Sequence, residues 1–453
     1  MKYIALTIGP IYKTLKNIKK TRELWGGSYI FSYIMKQIIL KFKDRDFVTP
    51  YTKDESIFKS GNEVGLFHDR FIFASKDGDK QRIEIVIDEV LKDLSKNTHL
   101  SYEFLKAYFQ VNFIEADVKE NPIIELGPYL DTIEQFYKIG HYKKNELSKM
   151  LKTDNSFLTK YAFGEKKSFP SLPEIALYDL KDNINIKELL KDNELEIYDN
   201  KDLKRYLKPY HKYIAIVHAD GDDMSKLIKD TSKLHDISKK LFEYCINSHK
   251  LISDFGGQTI FAGGDDLLFF APVLSKNKTI FELLDDISKE FNDKFKPMAT
   301  LSFGLSITYY KFPLYEALEK SRNLLFVKAK NSPKNNIAYE VVKHSGQTFG
   351  GIIHKNSNAY QKFLDFVSID KSIDDNFLHS LHHKIDLHKV TLESIKSDED
   401  KLINFFKNYF NEEGHKEYKE FFDKLILYIR EEQNMNNIYG TLRFVKFIKG
   451  DKQ

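Results

Sequence analysis

Four residues in the middle of the chain combine a flexible backbone with paired carboxylates: Gly263, Gly264, Asp265 and Asp266. They separate two short apolar runs, residues 258–262 and 267–271, each typical of a buried strand. Glycines permit a tight turn close to a ligand. Two adjacent carboxylates repel each other unless water or a cation neutralises them, and Mg²⁺ or Mn²⁺ prefers such oxygen ligands. A solvated acidic turn and a metal site remain equal alternatives on these residues alone.

A second acidic group, Asp220-Gly221-Asp222, follows the apolar run 213–219. In a ferredoxin-like sheet the end of the first strand lies beside the hairpin turn, so we expect Asp220 next to Asp265 and Asp266. The three carboxylates would then converge with only a bound cation to neutralise them. Such a site suits two-metal phosphoryl transfer from a nucleoside triphosphate. For Asp220 alone, a helix N-cap is the structural alternative.

Two lysines, Lys328 and Lys330, end the helix predicted from residue 313. They could reach phosphates from the edge of the sheet, because a lysine acts as a point-charge phosphate binder. A lysine-rich helix C-terminus that stabilises the helix dipole is an equal alternative.

The order of apolar segments predicts an α+β chain with two ferredoxin-like units. The first unit reads strand, helix, hairpin, helix and strand, with its hairpin turn near His68-Asp69. The same order returns in the second unit, which carries the acidic residues. The predicted boundaries are residues 1–120 for the first unit, 121–205 for a helical connector, 206–345 for the second unit and 346–453 for a helical C-terminal domain.

Composition limits the classes of function. The 453 residues are enough for two to four domains, and a net charge of +4 permits an RNA-binding face without requiring one. The single cysteine, Cys245, excludes a disulfide framework and a cysteine-rich zinc site. No apolar stretch reaches the roughly 18 residues of a membrane span. We expect a cytoplasmic protein that is not bound to a membrane.

Several collinear motifs identify a family resemblance. Asp220-Gly221-Asp222, the Gly-Gly-Asp-Asp turn and Ala329-Lys330 resemble the palm domain of GGDEF-type nucleotide cyclases and CRISPR palm polymerases. The segments at residues 8–11, 20–29, 169–176 and 310–318 resemble a narrower group. This group is the large, polymerase-like subunit of type III-B CRISPR effector complexes, the Cmr branch of the Cas-ten family. The resemblance runs from residue 1 to about residue 350.

The resemblance implies an antiviral, RNA-guided function. Partners would be the other type III-B subunits, CRISPR RNA and target RNA, and target-RNA binding would switch on conversion of ATP into a second messenger, cyclic oligoadenylate. Asp220 and Asp265 resemble metal ligands, and Asp266 a second ligand or an aid to deprotonating the 3′-hydroxyl. Gly263 and Gly264 would shape the turn, and Lys330 resembles the lysine that binds phosphate. The first unit would be a degenerate palm.

Departures from the family pattern leave two other functions open. The chain starts at the first palm, so we expect no HD nuclease domain and no DNase activity, although His68-Asp69 and His235-Asp236 are HD dipeptides. Relatives without that domain include enzymes that join AMP to S-adenosylmethionine, which would then be a co-substrate. A non-catalytic scaffold is the remaining alternative.

No zinc is expected, because the family's zinc-binding cysteines are absent. Four histidines in the tail favour a solvated helix face over a metal site: His379, His382, His383 and His388.

Overall fold

A computed structural model describes nine stretches of the chain, residues 1–16, 18–58, 64–135, 144–153, 155–162, 168–181, 197–368, 375–410 and 418–449. The strands in these ranges are β1 (Lys2–Gly9), β2 (Phe47–Thr49), β3 (Arg70–Ala74), β4 (Gln110–Asp117), β5 (Tyr213–Asp222), β6 (Gln258–Gly263), β7 (Asp266–Pro272), β8 (Leu274–Ser275), β9 (Lys278–Thr279), β10 (Thr300–Tyr309), β11 (Asn336–Val342) and β12 (Thr348–His354).

The α-helices of the first half are α1 (Ile11–Leu15), α2 (Thr21–Lys41), α3 (Asp79–Thr98), α4 (Tyr102–Tyr108), α5 (Pro122–Gln135), α6 (Glu146–Lys152), α7 (Leu172–Ala176) and α8 (Lys201–Lys204). Those of the second half are α9 (Met224–Leu227), α10 (Leu234–Phe255), α11 (Ile280–Phe295), α12 (Leu314–Asn323), α13 (Ala359–Val367), α14 (Asp375–Leu387), α15 (Lys389–Ile395), α16 (Glu399–Tyr409), α17 (Lys419–Glu432) and α18 (Met435–Lys449). A π-helical turn, Leu324–Ala329, continues α12.

The first unit is built on a four-stranded antiparallel sheet in the order β2-β3-β1-β4. The apolar residues of β1 and β3 alternate with the pleat and pack on α2, whose helical repeat aligns Ile30, Ile34 and Ile38. The only tryptophan, Trp25, lies in this core and is 1% exposed. The sheet therefore has one face covered by a long amphipathic helix.

The second unit is built on a six-stranded sheet in the order β12-β11-β10-β5-β7-β6. Strand β5 lies between β10 and β7 and is apolar from Tyr213 to Val217, as expected of a strand covered on both faces. On one face Phe303 of β10 packs in the core with α10 and α11. On the other face α12 approaches β10 at Gly304, where an added Cβ would lie 2.1 Å from the Ser321 carbonyl oxygen. The end of β5 is thus enclosed between helices.

The structure confirms the α+β class and corrects several boundaries. There is no hairpin turn at His68-Asp69, because β3 begins at Arg70 and pairs with the distant β2. Strand β12 extends the second sheet to His354, although residues from 346 onward were predicted to be helical. Of the predicted connector, residues 182–196 lie outside the described residues.

The described C-terminal helices form a bundle that packs on the second sheet. The apolar faces of α13, α17 and α18 share one core with the sheet, in which Phe281 of α11 contacts the rings of Phe363 and Phe444 at centroid distances of 4.9 and 4.8 Å. Phe421 and Tyr428 of α17 are core residues, whereas Tyr409 at the end of α16 is 36% exposed. No described helix has the length and apolar character that crossing a membrane requires.

Candidate active site

The Gly-Gly-Asp-Asp segment forms a tight turn between β6 and β7. Gly263 pairs with Asp266 across the turn, and Gly264 has a φ of +66°, a conformation that residues with a Cβ rarely adopt. The thiol of Cys245, on α10, donates to the carbonyl oxygen of Gly264 at 3.3 Å. The turn is therefore held from beneath by a long helix, and Asp265 and Asp266 project from a fixed backbone.

Asp265 lies against the end of β5. A Cβ placed on Gly221 would be 2.7 Å from Asp265 Oδ2, and the Gly221 N–H donates a hydrogen bond to the Asp265 carboxylate. Only a glycine leaves room for this approach. Ala219 pairs with Leu267, so Asp220 and Asp266 are the next residues along the two neighbouring strands. The sequence-predicted carboxylates thus border one end of the sheet.

Asp220 differs from the prediction in having a protein partner. Its carboxylate forms an ion pair with Lys330 Nζ, which also donates to the carbonyl oxygen of Gly221 at 2.8 Å. Because successive residues of a strand point to opposite faces, Asp265 lies beside Gly221 on the face away from the Asp220 side chain. The expectation that nothing but a bound cation neutralises the carboxylates is therefore wrong for Asp220.

Asp222 is buried and serves the packing of the strand end. It is 1% exposed and accepts hydrogen bonds from Ser302 Oγ at 2.7 Å, Thr300 Oγ1 at 3.0 Å and the Asn335 N–H at 3.0 Å. Strand β5 continues to Asp222, beyond the predicted end at residue 219, and this places its side chain inside the sheet. Asp222 is therefore held inside the sheet, and its sequence-based assignment to nucleotide binding stays a prediction.

The two lysines of the prediction separate in the structure. Lys330 reaches the carboxylates, while Lys328 is exposed on the π-helical turn and shares no described contact with them. Burial lowers the pKa of Lys330 to about 8, and the nearby Lys334 adds to this effect. Lys330 Nζ also lies 3.8 Å from Asp222 Oδ1, a buried oxygen with no hydrogen-bond partner among the described residues. Lys330 can thus exchange one aspartate for another.

The two carboxylates of the turn bind protons more tightly than ordinary aspartates do. Burial raises the pKa of Asp265 to about 7, with a further contribution from the charge of Asp266. Asp266 keeps a solvent-exposed edge, yet desolvation by the surrounding protein raises its pKa to about 6. The charge of Asp69, in the first unit, adds to the shift at Asp266. Both shifts arise mainly from desolvation, and neither carboxylate forms an ion pair with any residue that the structure describes.

The first unit closes over the turn. The Ala262 N–H donates to the Gly65 carbonyl oxygen at 3.3 Å, and a Cβ on Gly263 would lie 3.3 Å from the Cβ of His68. Arg70 turns away from this contact and pairs with Asp131 at 2.7 Å and Glu134 at 2.8 Å. The site therefore lies where the two units meet, and we refer to this place as the cleft.

A divalent cation fits this cleft by its donor chemistry. Asp265 and Asp266 offer hard oxygens, the ligands that Mg²⁺ prefers, and Asp220 lies on the adjoining strand end. Within the described ranges, however, no three His, Cys, Asp or Glu side chains are arranged to hold a metal ion. Because the Asp220 side chain lies on the other face of β5 and pairs with Lys330, Asp265 and Asp266 are the two candidate ligands that this geometry offers to one cation.

Sequence reasoning missed His218 as well as Asp69. His218 Nδ1 lies 2.8 Å from Ser321 Oγ, which links β5 to α12, and burial together with Arg322 lowers its pKa to about 4. A histidine within an apolar strand is a visible signal for such a link. For Asp69 there was no local signal, since its approach to Asp266 arises only from the packing of the two units.

The other histidine motifs have ordinary protein partners. His235 Nε2 lies 3.6 Å from Asp46, and His379 Nδ1 accepts from Lys446 Nζ at 2.8 Å. The ring of His388 packs on Tyr409 with centroids 4.8 Å apart. These contacts agree with the structural alternative for the C-terminal histidines.

Comparisons with known proteins now give this geometry a context. Residues 213–338 match the family model "Cas10/Cmr2, second palm domain", and residues 3–101 match the model "CRISPR-associated protein Cmr2, N-terminal". A curated relative, the CRISPR system Cmr subunit Cmr2 of Pyrococcus furiosus, is 28% identical over 308 residues. The match covers 58% of this chain and 35% of the relative, so the chain spans about a third of that protein's length.

Solved structures share the fold. A crystal structure of a Csm1-Csm4 cassette in complex with one ATP matches with a TM-score of 0.57 and 14% identity, covering 98% of this chain and 69% of that chain. The cassette in complex with cA4 matches at a TM-score of 0.53, 14% identity and 99% and 70% coverage. The apo type III-B Cmr-beta structure matches at 0.52, with 12% identity and 85% and 75% coverage.

Proposed function

The chain belongs to the Cas10/Cmr2 family through its N-terminal and second palm domains, and from this premise we propose that it is a nucleotidyltransferase that uses ATP. One observation supports this function above the others. Asp265 and Asp266 share a tight turn and form no ion pair within the described residues, in a cleft whose other edge carries Lys330. Paired carboxylates next to a lysine suit a metal-bound triphosphate.

The residues of this chain have separate roles in the proposed reaction. Asp265 and Asp266 would hold Mg²⁺, which supplies charge neutralisation for the triphosphate when it is bound, while Asp220 holds Lys330 on the other face of β5. Lys330 would leave Asp220 and bind the phosphates, so the ion pair of the resting site is exchanged when substrate enters. Gly221 and Gly264 keep the strand end and the turn close together. Asp222 fixes the adjoining strands through Ser302 and Thr300.

We propose cyclic oligoadenylate as the product, made within a type III CRISPR effector complex when target RNA binds. A Csm1-Csm4 cassette of the same fold is described in complex with ATP and with cA4, which supports a nucleotide in this cleft. Transfer of AMP to S-adenosylmethionine would use the same carboxylates and the same donor. The two reactions differ only in the acceptor, so products decide between them.

The test uses the assembled complex with partner subunits, cognate target RNA, ATP and Mg²⁺. We expect the double variant Asp265→Asn, Asp266→Asn to lose product by about 10³-fold or more, because two charged ligands are removed. Asp236→Asn is the matched control, since this aspartate pairs with Lys240 on the surface of α10, and it should retain full activity. Normal product from the double variant would show that the carboxylates do not carry the reaction.

A second arm adds S-adenosylmethionine to the same mixture. Oligoadenylate made at an unchanged rate supports the cyclase reaction, and a new adenylated product identifies S-adenosylmethionine as the acceptor. If the wild-type complex consumes no ATP with or without S-adenosylmethionine, the chain acts as a scaffold and the proposal fails.

A further inference from the structure

Three side chains form an exposed stack where the two units meet at the surface, and we call them the aromatic edge: Tyr12, Arg322 and Phe326. Tyr12 lies on α1 of the first unit, Arg322 on α12 and Phe326 on the π-helical turn of the second unit. The Arg322 guanidinium carbon lies 5.1 Å from the centroid of the Tyr12 ring and 5.8 Å from that of Phe326. The two rings thus flank one cation.

Both rings remain open to solvent despite this contact. Tyr12 is 56% exposed and Phe326 is 47% exposed, and the neighbouring Val327 is exposed as well. The cation–π contact of Arg322 covers one face of each ring. It leaves the outer faces in water, which is an unfavourable place for large aromatic surface unless a ligand covers it.

Two cations lie at the aromatic edge. Lys16 Nζ lies 5.9 Å from the centroid of the Tyr12 ring, so a second cation flanks the same aromatic side chain. Among the described residues, neither Arg322 nor Lys16 forms an ion pair with a carboxylate. Glu316 on α12 accepts a hydrogen bond from its neighbour Tyr315 at 3.0 Å. The edge therefore combines ring faces with uncompensated cations.

The aromatic edge adjoins the carboxylate cleft without being part of it. Ser321, the residue before Arg322, contacts His218 on β5, and His218 and Asp220 are two residues apart, which is about 7 Å along a strand. Lys330 follows Phe326 by four residues. Nucleotide substrates bind in concave pockets that bury most of their surface. Half-exposed rings at the rim suit a longer ligand that passes outside the cleft.

We propose that the aromatic edge binds single-stranded RNA. Two bases stack on the outer faces of Tyr12 and Phe326, and their phosphates lie beside Arg322 and Lys16. Every base offers a π-face and every linkage an anion, so this combination of rings and cations is typical of surfaces that bind single strands without reading their sequence. A protein partner would need acidic side chains to pair with Arg322 and Lys16, whereas an RNA backbone supplies a negatively charged phosphate at each nucleotide. The inference goes beyond the proposed function and does not depend on turnover.

The experiment measures binding of a fluorescein-labelled 12-nucleotide oligoadenylate RNA to the purified full chain by anisotropy, in EDTA and without ATP. We expect Tyr12→Leu and Phe326→Leu each to weaken binding by about 5- to 100-fold, because leucine keeps the apolar contact but offers no π-face. Tyr12→Trp should bind at least as well as the wild type. Tyr315→Leu is the matched control, an exposed tyrosine outside the stack, and should leave binding unchanged.

Two further arms separate stacking from charge. An abasic strand of the same length should bind the wild type as weakly as the oligoadenylate binds the leucine variants. Arg322→Gln should lower the slope of log affinity against log salt by about one, since one phosphate contact is lost. The double variant Asp265→Asn, Asp266→Asn should bind RNA as the wild type does, so that a failure of catalysis and a failure of this proposal are distinguishable.

Equal binding of abasic and ordinary RNA by the wild type would overturn the proposal. Unchanged RNA affinity in both leucine variants would overturn it too. If those variants bind RNA normally but fail to assemble with the partner subunits, the aromatic edge is a protein interface. Thermal unfolding of each variant at the wild-type temperature establishes that the fold is intact.

Discussion

The four strands β6-β7-β5-β10 of the second unit repeat the order β2-β3-β1-β4 of the first unit. The two units differ in the residues at the strand ends. In the first unit, Thr7 at the end of β1 lies opposite Arg70, and Glu134 accepts from Thr7 while pairing with Arg70. In the second unit, the equivalent strand end meets a turn with two aspartates that form no ion pair with any residue that the structure describes. The first unit thus neutralises its own charges, whereas the second leaves negative charge for a ligand. The shared strand order alone therefore does not create a ligand-binding site; the residues at the strand ends decide.

Glycine at the strand end tests this difference most severely. An added Cβ at Gly221 would lie 2.7 Å from Asp265 Oδ2 and 2.8 Å from Met224 Cγ, while at Gly9, the last residue of β1, it meets nothing within 4 Å. We expect Gly221→Ala to reduce ATP turnover by about 100-fold or more, because a displacement near 1 Å of a catalytic group has effects of this size. Gly9→Ala should change turnover less than about twofold. Steady-state assays of both variants in the assembled complex make the measurement, and equal effects would contradict the comparison.

Lysines 328 and 330 give the next largest contrast. Lys330→Met should lower turnover by about 10- to 100-fold and raise the KM for ATP, because a charge-assisted contact to phosphate is lost. Lys328→Met removes an equal charge from the exposed side of the same turn and should leave both parameters near wild type. Initial rates over a range of ATP concentrations decide the point. A larger effect at Lys328 would show that phosphate approaches from the outer surface.

The pH dependence of stability should differ between the units. In EDTA, Asp265 has a folded pKa of about 7, above its unfolded value, so the folded state binds more protons and stability falls as pH rises from about 4 to 7. We expect the double variant Asp265→Asn, Asp266→Asn to be about 1–2 kcal/mol more stable than wild type at pH 8 and nearly equal at pH 4, after allowing for screening by solvent. Urea unfolding at both pH values measures this.

Magnesium provides the control for that experiment. Adding Mg²⁺ at pH 8 should stabilise the wild type and leave the double variant unchanged, because only the wild type offers a charged ligand set.

In the first unit, Asp79 should give stability the opposite pH dependence, because hydrogen bonds from Arg45 and the Lys76 N–H lower its pKa. Its contribution is present at neutral pH and is lost only as the pH falls below the usual range of an aspartate. If the stability of the wild type changed with neither pH nor Mg²⁺, the assignment of Asp265 and Asp266 as metal ligands would be contradicted.

The smallest expected effect concerns Arg70. Arg70→Met should destabilise the chain by about 1 kcal/mol, because its ion pairs with Asp131 and Glu134 are partly exposed. Turnover should change less than about twofold, since Arg70 turns away from Asp266. Arg70→Lys keeps the charge and should recover part of the stability. Urea unfolding with a parallel rate assay measures both, and a large loss of turnover would give the first unit a direct role in the site.

The sequence was most informative where a local pattern dictates the structure. Apolar runs such as residues 213–219 and the helical repeats of α10 and α11 predicted the elements, and the Gly-Gly-Asp-Asp spacing predicted the turn. It failed where the outcome depends on neighbours distant in sequence. The Lys330 pairing with Asp220 spans 110 residues, and the approach of Asp69 to Asp266 requires the docking of two units. The burial of Asp222 followed from three more residues of β5, a boundary that pairing with β10 sets.

The cysteine beneath the Gly-Gly-Asp-Asp turn has a practical consequence. Cys245 is the only thiol in the chain, it is buried, and burial raises its pKa, so the closed protein should resist alkylating reagents. Its hydrogen bond to Gly264 means that the thiol becomes reachable only when the turn lifts from α10. The rate at which maleimide labels Cys245, measured by mass spectrometry, would then report how often this turn opens. No engineered probe is needed.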